Sequence, residues 1–164
     1  MKAQVRKTLF ILTCLLPFYI WAQTGKFYSS DKELSNSLIN KVYQDRRGFI
    51  WISTENGLNR FDGNRFTIYK HNSADSTSLK NNYVRTMFED SGSRFWIGCI
   101  NGLQLYNRAT DSFKEIRIHR EDGRKNPHVT SIIERTNGDI WIATSGQGII
   151  SLKKGKGVNE FRKE

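Results

Sequence analysis

Met87-Phe88-Glu89-Asp90-Ser91-Gly92-Ser93-Arg94-Phe95-Trp96-Ile97-Gly98 is the middle version of a sentence that the chain writes three times. Trp51, Trp96 and Trp141 stand 45 residues apart, and the match keeps register from Leu38/Tyr83/His128 to Asn56/Asn101/Gly146 without a gap. Ile39, Val84 and Val129 align, then Val42, Met87 and Ile132, then Asp45, Asp90 and Arg135. Self-similarity at this period is the mark of a repeat architecture, either propeller blades or a helical array.

The residues around each Trp decide between strand and helix. Ile39, Val84 and Val129 begin segments with apolar residues at i, i+3 and i+4, which a helix could use. The next segment excludes it, because Phe49-Ile50-Trp51-Ile52, Phe95-Trp96-Ile97 and Ile140-Trp141-Ile142 are short, aromatic and β-branched, with turn residues at both ends. Asp45–Gly48, Asp90–Ser93 and Arg135–Gly138 read as tight turns, in which Gly or Asn takes positive φ and an aspartate bonds the turn backbone. Asn56-Gly57 and Asn101-Gly102 read as hairpin turns with φ > 0 at the central residues, and Ser145–Gly148 is a longer equivalent. Third strands follow at Leu58–Phe61, Leu103–Tyr106 and Ile149–Leu152, and fourth strands at Phe66–Tyr69, Phe113–Ile118 and around Phe161. Phe27-Tyr28 reads as a further, isolated fourth strand.

The fold class expected is therefore all-β: β-propeller blades of four antiparallel strands, at about 36–69, 81–118 and 126–162. Propellers have about 4–8 blades, so three leave an incomplete ring and point to the N-terminal part of a longer propeller.

The first 22 residues stand apart from the repeats. Lys2, Arg6 and Lys7, an apolar run from Leu9 to Ile20 and the small Ala22 follow the order of a secretory signal peptide, with an uncleaved anchor as the alternative. Export predicts cleavage before Gln23 and a folded region of 23–164. Loss of that segment lowers the net charge from +10 to +7 and removes Cys14, leaving one thiol, Cys99. Cys99 occupies the place of Thr54 and Thr144, which suits a small buried filler better than a nucleophile. With 37% hydrophobic and 12% aromatic residues the composition is globular. The basic residues are dispersed, and an exported basic protein meets anionic polymers or acidic partners more readily than nucleic acid.

No catalytic constellation, phosphate loop or kinase motif is legible. His71, His119 and His128 have no metal-ligand spacing, and no cofactor is expected. A Trp needed at one position in every repeat is a packing residue, so Trp51, Trp96 and Trp141 are expected in the core. A ligand site should use positions where the copies differ, which singles out Glu55, Asn56, Asn101 and Gln147 in one set of turns, with the inter-blade loops beside them.

The segment from Val42 to Gly63, with its counterparts ending at Tyr106 and Leu152, resembles the two-component regulator propeller repeat. The resemblance covers nearly all of residues 23–161, and its departures are Arg135 for the turn Asp, Cys99 for Thr and one extra residue near Gln147. It implies the exported, periplasmic sensor region of a hybrid two-component histidine kinase anchored in the inner membrane. In such proteins more blades and a further sensor domain follow, the parent is a homodimer, and oligosaccharides are sensed. The competing readings are an exported propeller enzyme acting on polysaccharide, a lyase or glycosidase, and an interaction scaffold without a ligand of its own.

Overall fold

The computed structural model describes residues 25–29, 33–118 and 126–154. Within these the regular elements are eleven strands in three antiparallel sheets. The first sheet is β1 (Ile39–Gln44), β2 (Ile50–Thr54), β3 (Gly57–Phe61) and β4 (Phe66–Tyr69). The second is β5 (Val84–Glu89), β6 (Phe95–Cys99), β7 (Gly102–Asn107) and β8 (Ser112–Ile116). The third is β9 (Val129–Glu134), β10 (Ile140–Thr144) and β11 (Ile149–Leu152). Each sheet is a meander in sequence order. The fourth strand expected near Phe161 lies outside the described residues, as do the leader segment, Cys14 and His119. Residues 25–29 form no strand, contrary to expectation; Tyr28 instead packs its ring on Phe61 and Phe66.

The three sheets stack face to face without closing a ring. The first strands of neighbouring sheets are held together by side chains of β1: Asn40 Nδ2 donates to the Val84 carbonyl at 2.8 Å and Lys41 Nζ to that of Met87 at 3.0 Å. Two cores fill the spaces between sheets. Trp51, Leu58, Val84, Met87, Phe95 and Tyr106 form one, while Trp96, Leu103, Val129, Ile132, Ile140 and Ile142 form the other. Trp51 and Trp96 thus each plug the gap between their own sheet and the next. A buried indole removes a large apolar area from water, which is why every copy needs one.

The same rule explains where the third copy departs. Trp51 and Trp96 are fully buried, but Trp141 is only half-buried, because no described element covers the outer face of the third sheet. Ile133 and Ile149 on that sheet are exposed too. At the other end Val42 is 59% exposed, whereas its counterparts Met87 and Ile132 are buried against the preceding sheet. The stack is apolar at both ends.

Close approach between sheets also dictates Gly98. A Cβ there would lie 2.5 Å from Val129 Cγ1 and 2.8 Å from Thr86 Cγ2, and its counterparts are the small Ser53 and Ala143.

Candidate functional site

The meander sends alternate turns to opposite ends of the stack. One end carries the β1–β2, β5–β6 and β9–β10 turns, where the repeat has its aspartates. The other carries the β2–β3, β6–β7 and β10–β11 turns, with Glu55, Asn56, Asn101 and Gln147, and the connection 70–83 between the first two sheets.

At the aspartate end the sequence reading is correct but incomplete. Asp45 Oδ1 accepts from the backbone N–H of Arg47 and Phe49, each at 3.0 Å, and Asp90 Oδ1 from Arg94 N–H at 2.9 Å, as a turn aspartate should. The second carboxylate oxygen holds the tryptophan: Trp51 Nε1 donates to Asp45 Oδ2 at 2.9 Å and Trp96 Nε1 to Asp90 Oδ2 at 2.8 Å. Arg135 replaces the aspartate in the third copy, and there Trp141 Nε1 is buried without an acceptor. The Arg135 guanidinium lies over that indole ring instead. Positive φ falls on Gly48, Ser93 and Gly138, so in the second turn a serine rather than Gly92 takes the left-handed position.

An ionic lattice joins the first two sheets at this end. Arg108 donates to Asp45 Oδ2 at 2.7 Å and pairs with Glu89 at 3.0 Å, both carboxylates being buried. Glu89 in turn accepts from Arg46 N–H at 2.8 Å. Glu134, one repeat later, accepts from Ser91 N–H at 2.7 Å in the same way. Burial pushes the Asp45 carboxyl up, but its bonds to Arg108 and Trp51 outweigh this and hold it below the usual range. Further out, Asp111 Oδ1 accepts from Tyr69 OH at 2.7 Å, Arg60 at 3.1 Å and Tyr106 OH, bolting β4 to the β7–β8 turn.

At the opposite end the hairpins differ from expectation. Glu55 and Asn56 are the two loop residues between the Thr54–Gly57 pair, and neither has positive φ. The positive φ sits on Gly57 and Gly102, which follow the loop, the place where a type I turn favours glycine. Thr54 Oγ1 accepts from Asn56 N–H at 3.1 Å and donates to the Gly57 carbonyl at 2.8 Å. Thr144 bonds Gly148 likewise at 2.7 Å. Cys99 takes the same place, buried, its thiol 3.7 Å from the Asn81 carbonyl and pushed up to about 12 by burial, which keeps it protonated and inert.

The four predicted site residues share this end but not one environment. Glu55 Oε1 accepts from Tyr83 OH at 2.7 Å, a bond from the next repeat that the sequence reading missed. Its signal was present, since Leu38, Tyr83 and His128 differ at one repeat position. Asn101 Oδ1 is buried without a partner, and Gln147 is half-buried. Beside them the 71–80 loop shapes a cavity of about 190 Å³ lined by His71, Asp75, Ser78, Lys80, Gln104 and Glu115. Lys80 Nζ meets Glu115 there at 3.1 Å, and Gln104 clamps the loop through Lys80 N–H and the Ser78 carbonyl. Asn59 clamps Ser35 in the first sheet by the same logic. Among the described residues no group of three or more His, Cys, Asp or Glu is placed to hold a metal ion.

Three stretches, 33–56, 78–101 and 123–146, match the family model described as two component regulator propeller. Histidine kinase P4 of Formosa agariphila is 40% identical over 73 residues, which span 42% of this chain and 5% of that protein. The fold is similar to the extracellular domain assigned to the hybrid two component system BT3049 of B. thetaiotaomicron, with a TM-score of 0.69 and 31% identity over 79% of this chain. It is similar also to that of BT4673 from the same organism, with a TM-score of 0.66 and 27% identity over 80% of this chain. The chain spans 19% of the length of each of those two solved chains. The matched stretches keep the 45-residue register of the tryptophans and contain every turn aspartate and its Trp, so the three sheets described above are two component regulator propeller repeats.

Proposed function

We propose that this chain is an exported ligand-sensing segment of a hybrid two-component histidine kinase, periplasmic in its setting, that responds to oligosaccharides and relays to phosphotransfer and transcription control. The observation that carries this reading is the likeness, across 79% of the chain, to an extracellular domain of a hybrid two component system, with repeats matched in all three sheets. In this reading Glu55, Asn56, Asn101 and Gln147 face the ligand from the turns of one end, and Asn101 Oδ1 is a buried acceptor awaiting a donor. An unmet buried polar group costs about 1–3 kcal/mol, so a sugar hydroxyl supplied there gains that much. The partners are the remaining blades, a downstream sensor domain and a second copy of the parent; no cofactor and no nucleic acid takes part.

Three blades give a ligand one wall where a closed ring gives several, so this chain alone binds weakly and the full exported region of its parent binds tightly. Calorimetry of both against neutral and anionic oligosaccharides tests this. Binding by the long form that falls at least tenfold on Asn101→Ala is the expected result. Absence of binding to any oligosaccharide by the long form would remove the sugar-sensing reading.

A further inference from the structure

The first strands of the three sheets, β1, β5 and β9, share an irregularity of the backbone. The pairing of β1 with β2 skips Asn40 between Ile39 and Lys41, that of β5 with β6 skips Arg85 between Val84 and Thr86, and that of β9 with β10 skips Thr130 between Val129 and Ser131. Each is a β-bulge, and the three bulged residues stand 45 residues apart. A bulge leaves one residue out of the ladder and re-aims its side chain, a device found at barrel rims and beside active sites. All three lie at the end of the stack that carries Glu55, Asn56 and Asn101, since Ile39 pairs with Thr54, Val84 with Cys99 and Val129 with Thr144. The backbone feature repeats while the residue on it does not: an amide, a guanidinium and a hydroxyl occupy the one position. A position that keeps its geometry and changes its hydrogen-bonding group is suited to contact with something outside the fold.

The junction of the first two sheets is where these groups meet. Tyr83 OH donates to Glu55 Oε1 at 2.7 Å, and the Arg85 guanidinium lies over the same tyrosine ring, its Cζ 5.7 Å from the centroid. The bond to Glu55, above all, raises the Tyr83 hydroxyl above its usual value, so it stays a donor. Asn40 Nδ2 reaches the Val84 carbonyl at 2.8 Å, which sets the first bulge against the second. Ile100 N–H donates to the Tyr83 carbonyl at 3.3 Å, which brings the Asn101 turn alongside. Arg85 is exposed although its sheet is packed on both faces, and it makes no ion pair among the described residues. Glu55 spends one carboxylate oxygen on Tyr83, and its second accepts nothing among the described residues.

An uncommitted guanidinium beside a half-used carboxylate has no net charge, and Asn40, Asn56 and Asn101 around them are neutral. Resting on the sensing reading, we infer that this junction takes a neutral sugar by a pair of adjacent hydroxyls: the Arg85 fork donates to their oxygens, and the free oxygen of Glu55 accepts from a hydroxyl. An acidic sugar is drawn to Arg85 but opposed by Glu55, so uronic and sulfated sugars are the poorer ligands.

The test is calorimetry of the full exported region of the parent with maltotriose, mannotriose and galactotriose, and with trigalacturonate, the acidic counterpart of the last. At least one neutral trisaccharide should bind at least tenfold more tightly than trigalacturonate. Arg85→Ala should weaken that binding at least tenfold, and Arg85→Lys, which keeps the charge and loses the fork, at least threefold. Lys114→Ala, an exposed charge lost from β8, should leave it within twofold. Neutral-sugar binding untouched by Arg85→Ala, equal losses from Lys114→Ala, or trigalacturonate bound as tightly as the neutral sugars would overturn the inference and leave the sensing reading standing. Absence of binding to any oligosaccharide would overturn both.

Discussion

Trp96 donates its indole N–H to Asp90 at 2.8 Å, so one carboxylate both closes the β5–β6 turn and fixes the side chain that fills the gap to the third sheet. Asp45 and Trp51 repeat the arrangement one sheet earlier. Turn and core are set by one residue pair, which recurs after 45 residues in the first two copies. Asp90→Ala should therefore lower stability by about 1.5–3 kcal/mol, the range for hydrogen bonds to a charged group, and loosen the indole as well. Urea unfolding followed by tryptophan fluorescence measures both; a loss below about 0.5 kcal/mol would mean that the pair is incidental.

The tryptophans should not be equivalent. Trp96→Ala removes a fully buried side chain and is expected to cost about 3–5 kcal/mol. Trp141→Ala removes a half-buried one and should cost about 1–2 kcal/mol. Equal losses in urea would show that the third sheet's outer face is covered.

The repeat, the strand assignment and the burial of Trp51 and Trp96 were legible in the sequence, because a single register of 45 residues carries all three. Positions where the copies differ were legible as well, which is how Glu55, Asn101 and Gln147 were singled out. What escaped were contacts that depend on the stacking of one sheet on the next. Arg108 reaches Asp45 across 63 residues, and Tyr83 reaches Glu55 across 28, with no spacing rule to announce either. The face beside Trp141, which no described element covers, escaped for the same reason: periodicity assigns a residue to a face but does not say whether that face has a neighbour.

Arg108→Ala should be among the most damaging surface-proximal changes, since it leaves Asp45 and Glu89 buried with less compensation. Breaking such a pair costs about 3–5 kcal/mol. A thermal scan in which this variant melts with the parent would show that the lattice contributes nothing to stability.

Acid should loosen the stack by a definable route. Asp45 and Asp111 are pushed up by burial but held below the usual carboxylate range on balance, the first by Arg108 and Trp51, the second by Tyr106, Tyr69 and Arg60. The Lys154 N–H, above all, lowers Asp139. A carboxyl with a depressed folded pKa contributes stability that is fully present above the unfolded value, about 3.9, and is lost as pH falls through the folded value. Urea midpoints should hold between about pH 7 and 5 and fall below about pH 4; an increase there would contradict the assignment.

Gly98 tests how tightly the second and third sheets meet. Gly98→Ala drives a methyl into Val129 and Thr86, and overpacking of this kind costs about 1–3 kcal/mol. Ser53→Ala, at the same repeat position, should cost less than about 1 kcal/mol because its weak 3.4 Å bond to the Lys41 carbonyl is all that is lost. Equal losses would mean that the sheets are further apart than described.

The central claim is that Trp51 and Trp96 plug the gap to the sheet that follows while Trp141 has no such sheet beside it among the described residues, and fluorine NMR of protein labelled with 5-fluorotryptophan tests it most directly. Single Trp→Phe variants assign the resonances, and a soluble gadolinium chelate reports their access to solvent. The account predicts that the Trp51 and Trp96 resonances are barely relaxed and that Trp141 is relaxed several-fold more strongly. Equal relaxation of all three, or protection of Trp141 with exposure of Trp96, would contradict it.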